Sequence, residues 1–178
     1  MATTMLKGNI VNLSGAEINV GDVAPVVNVA GQYLGDITVG GQQGKAQVIV
    51  VVPSLDTPVC AAETRKFNEK AAKIENAEVT VVSMDLPFAM GRFCTTEGIE
   101  NLKVGSDFRA KMLAKSYGVL IADGPLAGVT ARAIFVINAS GIVAYKEISP
   151  EITEEPDYDA AIAAIKEATG TSCCGTCQ

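Results

Sequence analysis

The apolar positions of the chain fall into short runs with sharp breaks between them. From Met5 to Val20 the runs are interrupted at Gly8-Asn9 and Ser14-Gly15, residues that tolerate the positive φ of tight turns, and a small hairpin is predicted. Gly21 to Pro25 reads as a loop. Val48-Ile49-Val50-Val51-Val52 is continuous and β-branched, the pattern of a strand buried on both faces, and Pro53 ends it. Good helix formers follow from Val59 to Glu75, with Pro58 suited to the first turn and Asp56 or Thr57 to the N-cap. Val79 to Ser83 is a second buried-type strand. Pro87 to Gly98 reads as a short helix or an irregular loop that Gly98 stops, and a third short strand is placed near Leu102 to Val104.

A helix is expected from about Phe108 to Tyr117. Ala133–Ile137 and Ile142–Tyr145 flank Asn138-Ala139-Ser140-Gly141 as an antiparallel hairpin. Tyr158 to Ala168 is a last amphipathic helix, entered through Pro156 and Asp157. Strand–helix–strand–helix, then a hairpin and a helix, describes an α/β sandwich around a mixed sheet. No internal repeat or linker divides it. One domain is expected over residues 1–169, with 170–178 as a detached, cysteine-containing tail.

Composition narrows the class. The 178 residues are 48% hydrophobic and 19% charged, which describes an ordinary globular chain. A formal charge of −6 with no basic cluster argues against nucleic acid as a partner. Met1 to Leu13 lacks a secretory pattern, and the longest apolar run, Val48 to Pro53, is too short to cross a bilayer. A soluble, cytoplasmic protein is expected. Five cysteines are an odd number in a chain that can build its own core, so catalytic, metal-binding or buried thiols are expected rather than a disulfide scaffold. There is no histidine. That excludes Ser-His-Asp and Cys-His hydrolases and zinc sites that need imidazole, and neither a metal nor a cofactor is expected.

Any cysteine nucleophile must therefore be activated without imidazole. Cys60 falls where the buried strand hands over to a helix, in the first turn, where free backbone N–H groups and the positive end of the macrodipole favour a thiolate. By position alone a small buried hydrophobe fits equally well. Arg132 just before an apolar strand reads alone as a surface ion pair or as a fixed cation, and Cys94 alone reads as a buried thiol.

Pro53, Thr57 and Cys60 reproduce the pattern P-x-x-x-T-x-x-C, and the run VVPSLDTPVCAAETRKFNEKAA resembles that of the bacterial thiol peroxidases, the atypical two-cysteine branch of the peroxiredoxins. The stretches KGNIVNLSGAEINVGDVAP, SMDLPFAMGRFCTTEGIENL and LAGVTARAIFVINASGIVAYKEISPEITEEPDY are similar to that family in the same order, covering roughly residues 6 to 165. The resemblance implies a thioredoxin-like fold, with a mixed central sheet flanked by helices and an N-terminal β-hairpin. It implies a thiol-dependent peroxidase acting on hydrogen peroxide and organic hydroperoxides. In that scheme Cys60 is the peroxidatic cysteine, and the Thr57 hydroxyl bonds the thiolate and the peroxide. Arg132 stabilises the thiolate and the developing charge, and Pro53 shields the sulfur. Cys94 is the resolving cysteine, forming an intramolecular Cys60–Cys94 disulfide that thioredoxin reduces. A homodimer packed near the active-site loops is implied as well.

Two helical sites are not expected to meet disulfide geometry without local unwinding. The tail departs from the family pattern, with Cys173, Cys174 and Cys177 in Thr171–Gln178. It reads as an appendage with incidental thiols, as a dithiol relay, or as soft-metal ligands one short of a tetrahedral set. A non-catalytic redox sensor or holdase on the same fold is the alternative of a different class. The complete set of Pro53, Thr57, Cys60 and Arg132 favours turnover.

Overall fold

The apolar runs become the strands of two sheets in a computed structural model that describes residues 2–170. Cys173, Cys174 and Cys177, and with them the tail readings, lie outside the described residues. β1 (Thr3–Leu6) and β2 (Asn9–Ser14) form the expected hairpin through Lys7-Gly8, both at positive φ. β3 (Val27–Gly31) and β4 (Asp36–Val39) make a second hairpin that is not among the expected elements. Its short strands mix exposed Asn28, Asp36 and Thr38 with buried Val27, Val29 and Val39, so too few apolar positions mark it.

β5 (Ala46–Val51) is the strand buried on both faces. It is followed by α1 (Pro58–Ala71), β6 (Ala77–Ser83), α2 (Pro87–Glu97) and β7 (Lys103–Ser106). α1 stops short of Glu75, because Lys73 and Ile74 bond back three residues and Asn76 turns the chain at positive φ. α2 is a regular helix, ended by Gly98 in the left-handed conformation that a residue without Cβ adopts at least cost.

α3 (Met112–Ser116) begins later than expected. Lys111 sits at φ 54°, which breaks the helical turn before it, and the Asp107 carboxylate accepts from the N–H groups of Leu113 and Ala114. β8 (Leu120–Ile121) is too short to read from the sequence. β9 (Ala133–Ile137) and β10 (Val143–Ile148) form the expected hairpin, and α4 (Tyr158–Ala168) has the bounds its periodicity predicts.

The large sheet runs β10-β9-β5-β6-β7-β3-β4, parallel within β5-β6-β7 and antiparallel elsewhere. A small sheet, β1-β2-β8, lies apart from it. Alternation sends successive residues of β5 to opposite cores. Val48 and Val50 pack with Phe67 of α1, Met90 of α2, and Ala161 and Ile165 of α4. Ile49 and Val51 pack with Leu113 of α3, with Tyr117 just after that helix, and with Val11 and Leu13 of the small sheet. Each such side chain contributes about 1.5–3 kcal/mol on burial.

This topology brings three segments to one edge. Parallel β5 and β6 end side by side, so α1 and α2 depart together. β9 runs antiparallel to β5 with Ala133 opposite Val51, so Arg132 stands where β5 ends.

Candidate active site

The loop between β5 and α1 is held by its neighbours. Val52 donates to Val82, and the Val52 carbonyl accepts from the Thr130 hydroxyl at 2.8 Å. Pro53 is buried at the strand's end. The Asp85 carboxylate accepts from the Ser54 hydroxyl at 2.7 Å, from Leu55 N–H at 2.7 Å and from the Ser83 hydroxyl at 2.6 Å. Asp85 thus ties the end of β5 to the end of β6.

Thr57 is the N-cap of α1 in extended conformation, followed by Pro58 at the first helical position. Its hydroxyl donates to the Ser54 carbonyl at 2.9 Å and does not cap the helix. The N–H groups of the first turn therefore keep their positive potential for whatever lies in front of the helix. Cys60 is the third residue of α1, only 1% exposed.

Arg132 is 2% exposed and divides its donors among three partners. Nη2 lies 3.3 Å from Cys60 Sγ. Nε and Nη2 donate to the Ile152 carbonyl at 3.0 and 2.8 Å, and Nη1 pairs with Glu63 Oε2. The ion pair keeps the guanidinium charged despite burial: Arg132 is raised from its ordinary value, with Glu63 and Cys60 opposing desolvation. Glu63 has no exposed surface. Burial pushes its carboxyl up to about 7 against the pull of Arg132, and the charges of Glu147 and Glu155 push the same way.

Cys94, the eighth residue of α2, is buried, and burial pushes its thiol up. Both Cys60 and Cys94 are free thiols. Cys94 faces a cavity of about 330 Å³ whose walls include Gln32, Tyr33, Ile99 and Leu102. A separate cleft of about 190 Å³ separates α2 from the loop before Cys60, lined by Leu55, Asp56, Asp85, Ala89, Arg92 and Phe93. Cys94 is not among its walls.

Of the residues singled out by sequence, the structure brings Cys60 and Arg132 into contact and sets Thr57 and Pro53 in the adjoining loop. Cys94 stands on a neighbouring helix that turns it away from that loop. Sequence reasoning missed Glu63, Asp85 and the Ile152 carbonyl. A signal existed for Glu63: Cys60, Glu63, Thr64 and Phe67 recur at three- and four-residue spacing on the buried stripe of α1, which places an acid inside. Asp85 and a backbone carbonyl carry no such mark.

No helix among the described residues is long and apolar enough to cross a membrane, and no cluster of metal-ligating side chains occurs among them. The family model Redoxin matches residues 19–162. A thiol peroxidase of Campylobacter jejuni is 56% identical over 177 residues, covering 99% of this chain and 98% of that one. A thiol peroxidase of Aquifex aeolicus is 54% identical, covering 93% and 97%. The crystal structure of a peroxiredoxin-like protein from Aquifex aeolicus superposes with a TM-score of 0.92 at 52% identity, covering 94% of this chain and 98% of that one.

Proposed function

Because the chain belongs to the Redoxin family, among its bacterial thiol peroxidases, and is a thiol-dependent peroxidase of thioredoxin-like fold, we propose that Cys60 is the sulfur that attacks the peroxide. The observation that carries this reading is the 3.3 Å contact from the buried Arg132 guanidinium to Cys60 Sγ in the first turn of α1. Positive charge fixed at that atom supports a thiolate and, during attack, the charge gathering on the peroxide oxygens. An S–O bond forms as the O–O bond breaks, and water or an alcohol leaves with a proton. Cys60 becomes a sulfenic acid. With its own proton on Ser54, the Thr57 hydroxyl is left to accept from the peroxide O–H. Pro53 restricts approach to the sulfur.

Cys94 then condenses with the sulfenic acid, expelling water and forming a Cys60–Cys94 disulfide. Cys94 lies five residues farther along its helix than Cys60 does along its own, a difference of about 7.5 Å of helix rise, and it faces a different cavity. The pairing therefore needs α2 to unwind or turn, since a disulfide tolerates little separation between its Cα atoms. A dithiol reductant, thioredoxin, returns both thiols. The reading extends to a cytoplasmic homodimer packed near these loops, to which exposed Leu86 and Phe88 beside Asp85 lend apolar surface; sedimentation as a monomer would remove the dimer. Auxiliary redox roles for Cys173, Cys174 and Cys177 fall with unchanged turnover after truncation at Gly170.

Peroxide consumption by stopped flow tests the assignment. Cys60→Ser should abolish it. Cys94→Ser should consume about one equivalent and then fail to turn over with thioredoxin. Turnover by the first variant sinks the role of Cys60, and full turnover by the second shows that another thiol resolves it.

A further inference from the structure

Beside Cys60 and Arg132 stands a buried carboxyl that has no task in this reaction. Glu63 stands one turn after Cys60 and holds Nη1 of the guanidinium whose Nη2 meets Cys60 Sγ. A carboxylate serving only to orient an arginine engages the fork with both oxygens where it can. Glu63 uses one; its buried Oε1 has no hydrogen-bond partner among the described residues. The other donors of Arg132 go to the Ile152 carbonyl, whose neutral oxygen balances no charge.

Two acids thus face one cation in a space almost closed to water. With both ionised, Cys60, Glu63 and Arg132 carry a net charge of −1; with only one ionised, they are neutral, and the buried site favours neutrality. Among the described residues no other element offers Glu63 a second cation. Arg132 faces it from the entry to β9, Glu147 from β10, Glu155 from the segment before α4, and the Tyr158 hydroxyl from α4. Lys66 of α1 is held by Glu155.

We propose that Glu63 is a positioning residue acting through Arg132: its carboxyl and the Cys60 thiol are alternative anionic partners of one guanidinium, and Glu63 takes up a proton as Cys60 gives one up. The S–H bond breaks, the proton passes to the carboxyl by way of solvent, and Arg132 remains cationic throughout. The reactive thiolate then coincides with a neutral Glu63, and the guanidinium charge is directed at sulfur. A carboxyl already pushed up to about 7 needs little further bias to hold that proton near neutral pH.

The inference rests on Cys60 being the reacting thiol. It is tested by Glu63→Gln, which keeps the shape and cannot ionise. The ultraviolet absorbance of the thiolate is titrated in the reduced protein and taken as the difference from Cys60→Ser, which removes the other thiols. Natural protein should titrate in two coupled steps. Glu63→Gln should titrate in one step, with its midpoint lower by about one pH unit or more, giving about tenfold more thiolate below the midpoint. Glu63→Asp keeps the charge and should keep two steps. A midpoint in Glu63→Gln that stays in place or rises would overturn the proposal, because Glu63 would then only orient Arg132. A single step in Glu63→Asp would do the same. The peroxide rate distinguishes the two readings: a titration that shifts while the rate does not follow it refutes Cys60 as the reacting sulfur and leaves the shared guanidinium standing.

Discussion

In the proposed reaction Arg132 does at one atom what an imidazole does in other cysteine enzymes, yet it cannot take a proton from the thiol. A guanidinium stays charged at every pH the protein meets, so protons must be exchanged by something else nearby. Burial sets the fold against the ionisation of Glu63, and this has a consequence for stability. Its carboxyl rises from an ordinary 4.5 to about 7 on folding. Between those values the folded chain keeps a proton that the unfolded chain releases. The stabilisation is complete below pH 4.5 and is lost as pH climbs through 7. Urea unfolding should therefore show Glu63→Gln losing this slope between about pH 4.5 and 7, by up to about 3 kcal/mol relative to the natural protein. Parallel pH profiles for the two proteins would refute the burial argument. Cys60, Thr57 and Pro53 stand out in the sequence because one linear motif carries them, and Arg132 because a separate stretch, TARAIFV, resembles the family. Glu63 shows itself only through its spacing from Cys60 and Phe67 on the buried stripe of α1; taken singly it is one more good helix former.

The helices differ at their ends in ways that match their tasks. Asp157 caps α4 by accepting from Ala160 N–H at 3.0 Å, and the helix packs as a fixed cover on β9 and β10. Asp157→Ala should lower unfolding free energy by about 1 kcal/mol without changing peroxide kinetics. A change in rate with no change in stability would mean that α4 reaches the site in some other way. α1 and α2 have no side-chain cap; each begins with proline after an extended residue. At α1 this leaves the first turn open toward the reacting atoms. Most elements were legible from period and punctuation: the bounds of α4, the run of β5, and the stop at Gly98. The late start of α3 was not, since it depends on the Asp107 carboxylate reaching Leu113 and Ala114 through the folded chain.

Across the whole molecule, the mixed sheet separates two cores and gathers the chemistry at one edge. Cys60 and Cys94 join the core shared by α1, α2 and α4, while the opposite core carries none of the proposed catalytic residues. The sequence reading recovered the central strands because they are buried on both faces. It missed β3 and β4 at the sheet's margin, where exposed Asn28, Asp36 and Thr38 interrupt the short apolar runs. That margin matters, because Tyr33 and Gln32 from its turn wall the cavity that receives Cys94. If Cys94 must leave that cavity to meet Cys60, α2 gives up Met90 and Cys94 from the core each time the pair oxidises. A backbone released in this way fits the extended cleft of a protease, whereas a packed helix does not. Oxidised protein should be nicked between residues 87 and 98 at protease levels that leave reduced protein whole, and adding a dithiol should restore resistance. Equal cleavage of both forms would show that α2 stays folded. On the proposed pairing, the orientation of one side chain on α2 would make the oxidation state of Cys60 and Cys94 a determinant of how long the chain survives digestion.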